Sequence, residues 1–143
     1  MLKIGSFKFG SRLILGTGKY NSHAETEEAL SKSGTELVTV AIRKIDFSEK
    51  NNKNLLDIIS PKKYTILPNT AGCYTAKEAL YTLELAREIL NGHNLVKLEI
   101  LADTSTLFPN VVETIKCAEL LYSKGFEVMA YTSDDPVVAK NLS

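Results

Sequence analysis

Short apolar runs alternate with longer stretches of helical period along this chain. Five runs read as buried strands: Arg12–Thr17, Leu37–Ile42, Tyr64–Leu67, Leu95–Leu101 and Phe126–Tyr131. Between them lie helical patterns with their own start and stop signals. Ser22 with Glu25 reads as a capping box, Thr75 with Glu78 has the same spacing, and Glu113 lies three residues after the cap Asn110. Gly34, Asn91-Gly92 and Gly125 end those helices. Ala79, Leu80, Leu83, Ala86 and Leu90 keep helical period, and Ile115, Ala118 and Leu121 or Tyr122 form the next buried stripe. A shorter helical run holds Leu55, Leu56, Ile58 and Ile59. It follows a charged, Asn-rich stretch, Ser48–Asn54, that reads as solvated surface. Pro136 marks the first turn of a last helix. Near the start of the chain, Lys3–Phe9 alternates apolar and polar residues beside glycine turn signals, which predicts an appended strand or hairpin.

Strand centres recur about every 25 to 30 residues, the spacing of repeated βα units. The fold class is α/β, with five strands and four complete helices. Two architectures fit. One is a five-stranded doubly wound sheet, complete at this length. The other is the front of a (β/α)8 TIM barrel, which normally takes about 250 residues. The chain stops soon after its last helix begins, which favours the barrel. The expectation is a single domain over 1–143, made of about the first five βα units, with strands six to eight absent.

One strand carries the candidate chemistry. In Leu95-Val96-Lys97-Leu98-Glu99-Ile100-Leu101, alternation sends Lys97 and Glu99 to one face and Val96, Leu98 and Ile100 to the other. The two charged residues sit about 7 Å apart along the strand, close enough to share a substrate but not to bond directly without it. Charges on a buried strand cost solvation energy unless something pairs or uses them. An amine in such a place can lose its proton near neutral pH and attack a carbonyl to form a Schiff base. From the strand alone, a structural ion pair or a strand end reaching solvent is the commoner explanation of such a pattern.

Composition narrows the function classes. A chain of 143 residues with 44% hydrophobic and 24% charged residues is ordinary for a globular domain. Formal net charge is zero, so no long-range field draws nucleic acid or an anionic membrane. The first residues, Met1–Gly5, lack the long apolar segment expected of a signal peptide, and no apolar stretch is long enough to span a bilayer. Cys73 and Cys117 form no metal or redox motif and read as reduced thiols of a cytoplasmic protein. No Asp/Glu/His cluster has metal spacing, so no metal site is expected. His23 and His93 are not placed as a ligand pair. Ser133 has no histidine partner, and Cys73 reads as a small helix-start residue rather than a nucleophile.

Polar clusters recur at the C-terminal ends of the strands, where α/β folds bind ligands. They are Gly16-Thr17-Gly18-Lys19, Arg43-Lys44, Asn69-Thr70-Ala71-Gly72, Asp103-Thr104 and Thr132-Ser133-Asp134-Asp135. The first is neither a nucleotide P-loop nor a dinucleotide fingerprint; it reads as a tight turn that lets backbone approach a ligand.

Taken in order, Ser11–Tyr20, Tyr64–Gly72, Val96-Lys97-Leu98-Glu99 and Tyr131–Asp135 resemble the bacterial thiazole synthase family, which builds the thiazole of thiamine. The resemblance spans essentially the whole chain. It implies a (β/α)8 barrel whose lysine forms an imine with 1-deoxy-D-xylulose 5-phosphate. It also implies dehydroglycine as co-substrate, and sulfur delivered as the thiocarboxylate of a small sulfur-carrier protein. By position, Lys97 is the imine-forming lysine and Glu99 the acid/base. Gly16, Thr17, Gly18, Arg43, Asn69, Thr70 and Thr132 are the expected substrate-binding residues. No cofactor is implied, because the imine is itself the electron sink. A homo-oligomer is implied for the full-length family, with no nucleic-acid or membrane partner. Lys44 stands where the family carries a second arginine, and Asn110 where it tends to have aspartate. The second catalytic aspartate and the phosphate-holding loops fall beyond residue 143. The competing readings are another Schiff-base aldolase or lyase on a TIM barrel, and an inactive fragment that only binds the sulfur carrier or sister subunits.

Overall fold

The computed structural model describes residues 1–45 and 55–143; the Ser48–Asn54 stretch lies outside the described residues. The chain divides into two compact units, Met1–Leu67 and Pro68–Ser143.

The first unit opens with the expected hairpin, β1 (Leu2–Ile4) and β2 (Phe7–Phe9), antiparallel with Leu2 opposite Phe9. Then come β3 (Ile14–Gly16), α1 (His23–Ser33), β4 (Leu37–Ala41), a 3-10 turn over Ile42–Lys44 and the short α2 (Leu55–Ile58). β3 and β4 pair in parallel, with Ile14 opposite Leu37. The Ser22 hydroxyl accepts from the Glu25 N–H at the start of α1, and Gly34 closes the helix at φ 64°, a left-handed position that suits glycine. Glu25 accepts from the N–H of Asn21, one residue earlier than a capping box requires. Leu30, Leu37, Val38, Val40, Ile42, Ile59 and Ile66 are buried and form this unit's apolar interior. The Glu36 carboxylate accepts from the N–H groups of Gly10 and Ser11, which anchors the exit of the hairpin.

In the second unit, the end of β5 (Thr65–Asn69) is followed by α3 (Ala76–Ile89), β6 (Leu95–Leu98), α4 (Val111–Ser123), β7 (Glu127–Ala130) and α5 (Pro136–Asn141). Val96, Leu98 and Ile100 lie in one buried cluster with Ala79 and Leu83 of α3 and Cys117 and Leu121 of α4. The buried line of α4 runs through Thr114, Cys117 and Leu121, so the expected stripe is displaced by one position at Ile115 and Ala118, and Tyr122 is exposed. Thr114 and Cys117 are both fully buried, small side chains that a pattern of large hydrophobes overlooks. β5 runs through Pro68 to Asn69 rather than stopping at Leu67, because the fixed φ of proline suits an extended chain and costs only its own N–H. Continuous pairing of β6 stops at Leu98, short of the expected Leu101.

The five parallel strands stand in chain order, β3-β4-β5-β6-β7. A doubly wound sheet would reverse its order at a switch point, so this alternative is set aside. Sequential order is that of successive βα units of a (β/α)8 barrel, and the described residues do not close one.

Two predictions concern the second unit. Leu98→Ala removes a fully buried side chain from its core and is expected to cost about 2–5 kcal/mol in denaturant unfolding. The Glu113 carboxylate accepts from the first N–H of α3, at Ala76, and from Lys116. The Ala76 N–H and the Lys116 contact hold its pKa below the ordinary 4.5. A pKa depressed on folding means that this stabilisation is present above 4.5 and lost as pH falls below it. The melting temperature should therefore drop below that pH, and Glu113→Gln should start lower and drop less.

Candidate active site

The second unit brings Asn69, Thr70, Lys97 and Glu99 together. Asn69 pairs in register with Lys97, and Lys97 with Met129 on β7. Paired residues of parallel strands share a face, so Asn69, Lys97 and Met129 form a row across the sheet. Lys97 lies one residue before the end of β6, and Glu99 follows just beyond it. The Lys97 Nζ is 3.8 Å from Glu99 Oε2, with side chains 36% and 20% exposed. This corrects the expected separation of about 7 Å. That figure describes the backbone repeat, whereas the long lysine stem bends towards the carboxylate. At 3.8 Å the two are an ion pair but not a hydrogen bond. The face is also open to solvent, so the two structural explanations of the charged pair both hold in part.

The backbone around the pair is held by Thr70, the first residue after β5. The Thr70 hydroxyl donates to the Glu99 carbonyl and accepts from the Glu99 N–H, each at 2.7 Å. Asn69 Oδ1 accepts from the Ala71 N–H, which closes the turn that leads to Gly72, at φ 84°. Thr132 lies beyond the end of β7, where strand alternation no longer dictates its direction. Its hydroxyl oxygen is buried with no hydrogen-bond partner among the described residues.

Gly16, Thr17, Gly18 and Arg43 belong to the first unit. Gly16 is the last residue of β3, opposite Thr39, and the Thr17 hydroxyl donates to the Thr39 carbonyl at 3.0 Å. A side chain at Gly18 would meet open space. Arg43 sits in the exposed 3-10 turn after β4. All four stand at C-terminal strand ends of their unit.

Two residues escaped the sequence reading. Met129 is the in-register neighbour of Lys97, and aligning the alternation of the last two strands would have found it. The Tyr131 hydroxyl donates to the carbonyl of Leu107, in the loop after β6, and no local pattern signals that contact. In the same loop Asp103 is turned inward on its neighbours. The hydroxyls of Ser105 and Thr106 and then their N–H groups bond its carboxylate and hold its pKa well below the usual range. Cys73 is buried, as a structural residue would be. Burial above all, then the neighbouring Cys73 and Glu113, pushes the Cys117 thiol up to about 12, so it is not a nucleophile. No group of three or more potential metal ligands occurs among the described residues, and none of their helices is long and apolar enough to cross a membrane.

A lysine that reaches a solvent-open face beside a carboxylate, at the C-terminal end of a central strand, is an arrangement suited to imine chemistry. Comparison with known proteins bears on that chemistry. The family model described as "Thiazole biosynthesis protein ThiG" matches residues 3–143. A thiazole synthase of Azotobacter vinelandii is 59% identical over 136 residues, 94% of this chain and 52% of the relative. One from Psychrobacter cryohalolentis is 59% identical over 140 residues, 97% of this chain and 51% of the relative. One from Pseudomonas aeruginosa is 60% identical over 136 residues, 94% and 51%. The chain thus spans about half the length of the curated relatives it matches. Among solved structures, the Amycolatopsis orientalis BexX/CysO complex superposes with TM-score 0.73 at 22% identity, over 99% of this chain and 57% of the other. At that identity the likeness speaks for the fold alone.

Proposed function

We infer the function from what the chain is: it belongs to the thiazole biosynthesis protein ThiG family. On that premise it carries the imine-forming part of a thiazole synthase. The observation that supports this reading is the placement of Lys97 and Glu99, with nitrogen and carboxylate 3.8 Å apart on an open strand-end face.

The chemistry follows from that placement. The Lys97 amine adds to the ketone of 1-deoxy-D-xylulose 5-phosphate; a carbon–nitrogen bond forms, a proton is taken up from solvent and water leaves, giving a protonated imine. The Glu99 carboxylate then takes a proton from the carbon beside the imine. The freed pair becomes a carbon–carbon double bond, and the imine π pair returns to nitrogen. The carboxylate lies 3.8 Å from Lys97 Nζ, the atom that becomes the imine nitrogen, which puts it on the side of the carbons next to that imine. Asn69 and Thr132 bind the substrate in the unit that carries Lys97; for Gly16, Thr17, Gly18 and Arg43 the family likeness supports a substrate-binding role. Thr70, expected to bind substrate, is instead fully buried with its hydroxyl engaged by the Glu99 backbone, so it does not touch the substrate. Dehydroglycine and the thiocarboxylate of a small sulfur-carrier protein supply the remaining atoms. The full-length enzyme works in the cytoplasm as a homo-oligomer.

Incubation with 1-deoxy-D-xylulose 5-phosphate and borohydride should add the mass of one reduced imine to the chain, and Lys97→Ala should abolish that increment. Glu99→Gln should keep at least half of the adduct while lowering solvent deuterium uptake next to the imine carbon at least tenfold. A Lys97→Ala chain that still gains the mass, or a Glu99→Gln chain with unchanged deuterium uptake, contradicts these assignments.

A further inference from the structure

We propose that Thr70 is a positioning residue whose hydroxyl sets the backbone of Glu99, and through it the carboxylate that faces Lys97. This rests on the imine reading above. Beyond Leu98 the regular pairing of β6 ends, so no continuous ladder holds Glu99 in place. One hydroxyl does so instead. It donates to the Glu99 carbonyl and accepts from the Glu99 N–H, both at 2.7 Å, which one hydrogen and a lone pair allow simultaneously.

The clamp itself is anchored. Thr70 is 0% exposed. Its N–H donates to the Lys97 carbonyl at 3.3 Å and its carbonyl accepts from the Cys73 N–H at 3.0 Å. The residue therefore touches the backbone of both members of the pair. On the far side of Glu99, Ile100 bridges to Cys73, and the Leu101 N–H donates to the Cys73 carbonyl. With Glu99 fixed by Thr70 and the next residues fixed by Cys73, its side chain leaves the backbone on the Lys97 face, as alternation requires. Misplacing a reacting group by about 1 Å can cost about 100-fold in rate, so a loosened Glu99 should fail at proton transfer while Lys97 still forms its imine.

Thr70→Val keeps the shape and removes the hydroxyl; Thr70→Ser keeps the hydroxyl. In the full chain, both should give a borohydride adduct on Lys97 within twofold of the unmodified protein. Deuterium uptake beside the imine carbon, divided by adduct so that only folded molecules count, should fall at least tenfold in Thr70→Val. It should stay within threefold in Thr70→Ser. In the unmodified chain the Glu99 amide should resist hydrogen exchange, a readout that does not depend on any variant folding. The proposal is overturned by an unprotected Glu99 amide, by an unchanged ratio in Thr70→Val, or by adduct and uptake falling together, which would mark a purely structural role. An unmodified chain that forms no adduct removes the imine reading and this proposal with it. An adduct with a normal ratio in Thr70→Val removes this proposal alone.

Discussion

Successive side chains of β6 leave its backbone on opposite sides, and the second unit is organised around that alternation. Val96, Leu98 and Ile100 go into the dry interior against α3 and α4, while Lys97 and Glu99 go to the open face. A slip of one residue in register would bury both charges and expose three large apolar side chains. Burial on one face therefore enforces the position of the amine and the carboxylate on the other. The core residues stabilise the fold and aim the site through the same few bonds.

This coupling explains why the chemistry sits where it does. A lysine in the middle of a strand would be shut in by neighbouring side chains. Lys97 is one residue from the end of regular pairing, so its stem lies on the ordered sheet and its nitrogen reaches solvent. The cost of holding a charge there is offset by the carboxylate two positions on, at a distance that leaves both groups able to move.

Much of the fold was legible in the sequence because its signals are local. The caps at Ser22, Thr75 and Asn110 accept from the N–H three residues on, while Glu25 and Glu78 reach past the cap to the residue before it, and Gly34 adopts the left-handed turn. The Lys97–Glu99 face was readable from period two alone. What escaped were features set by contacts distant in sequence. The Thr70 hydroxyl that takes over from the β6 ladder and the use of Cys117 as a core residue depend on partners on other elements, and the bend of the Lys97 side chain is a rotamer that strand period does not encode. Strand order, which separates a barrel-like series from a doubly wound sheet, is likewise invisible to periodicity.

The most direct test of the central claim is a crystal structure of the chain reduced by borohydride in the presence of 1-deoxy-D-xylulose 5-phosphate. The predicted result is continuous density from Lys97 Nζ into the substrate, with the Glu99 carboxylate moved to hydrogen-bond range of the reacting carbons. Density attached to a different lysine, or a Glu99 carboxylate turned away from the adduct, would contradict it.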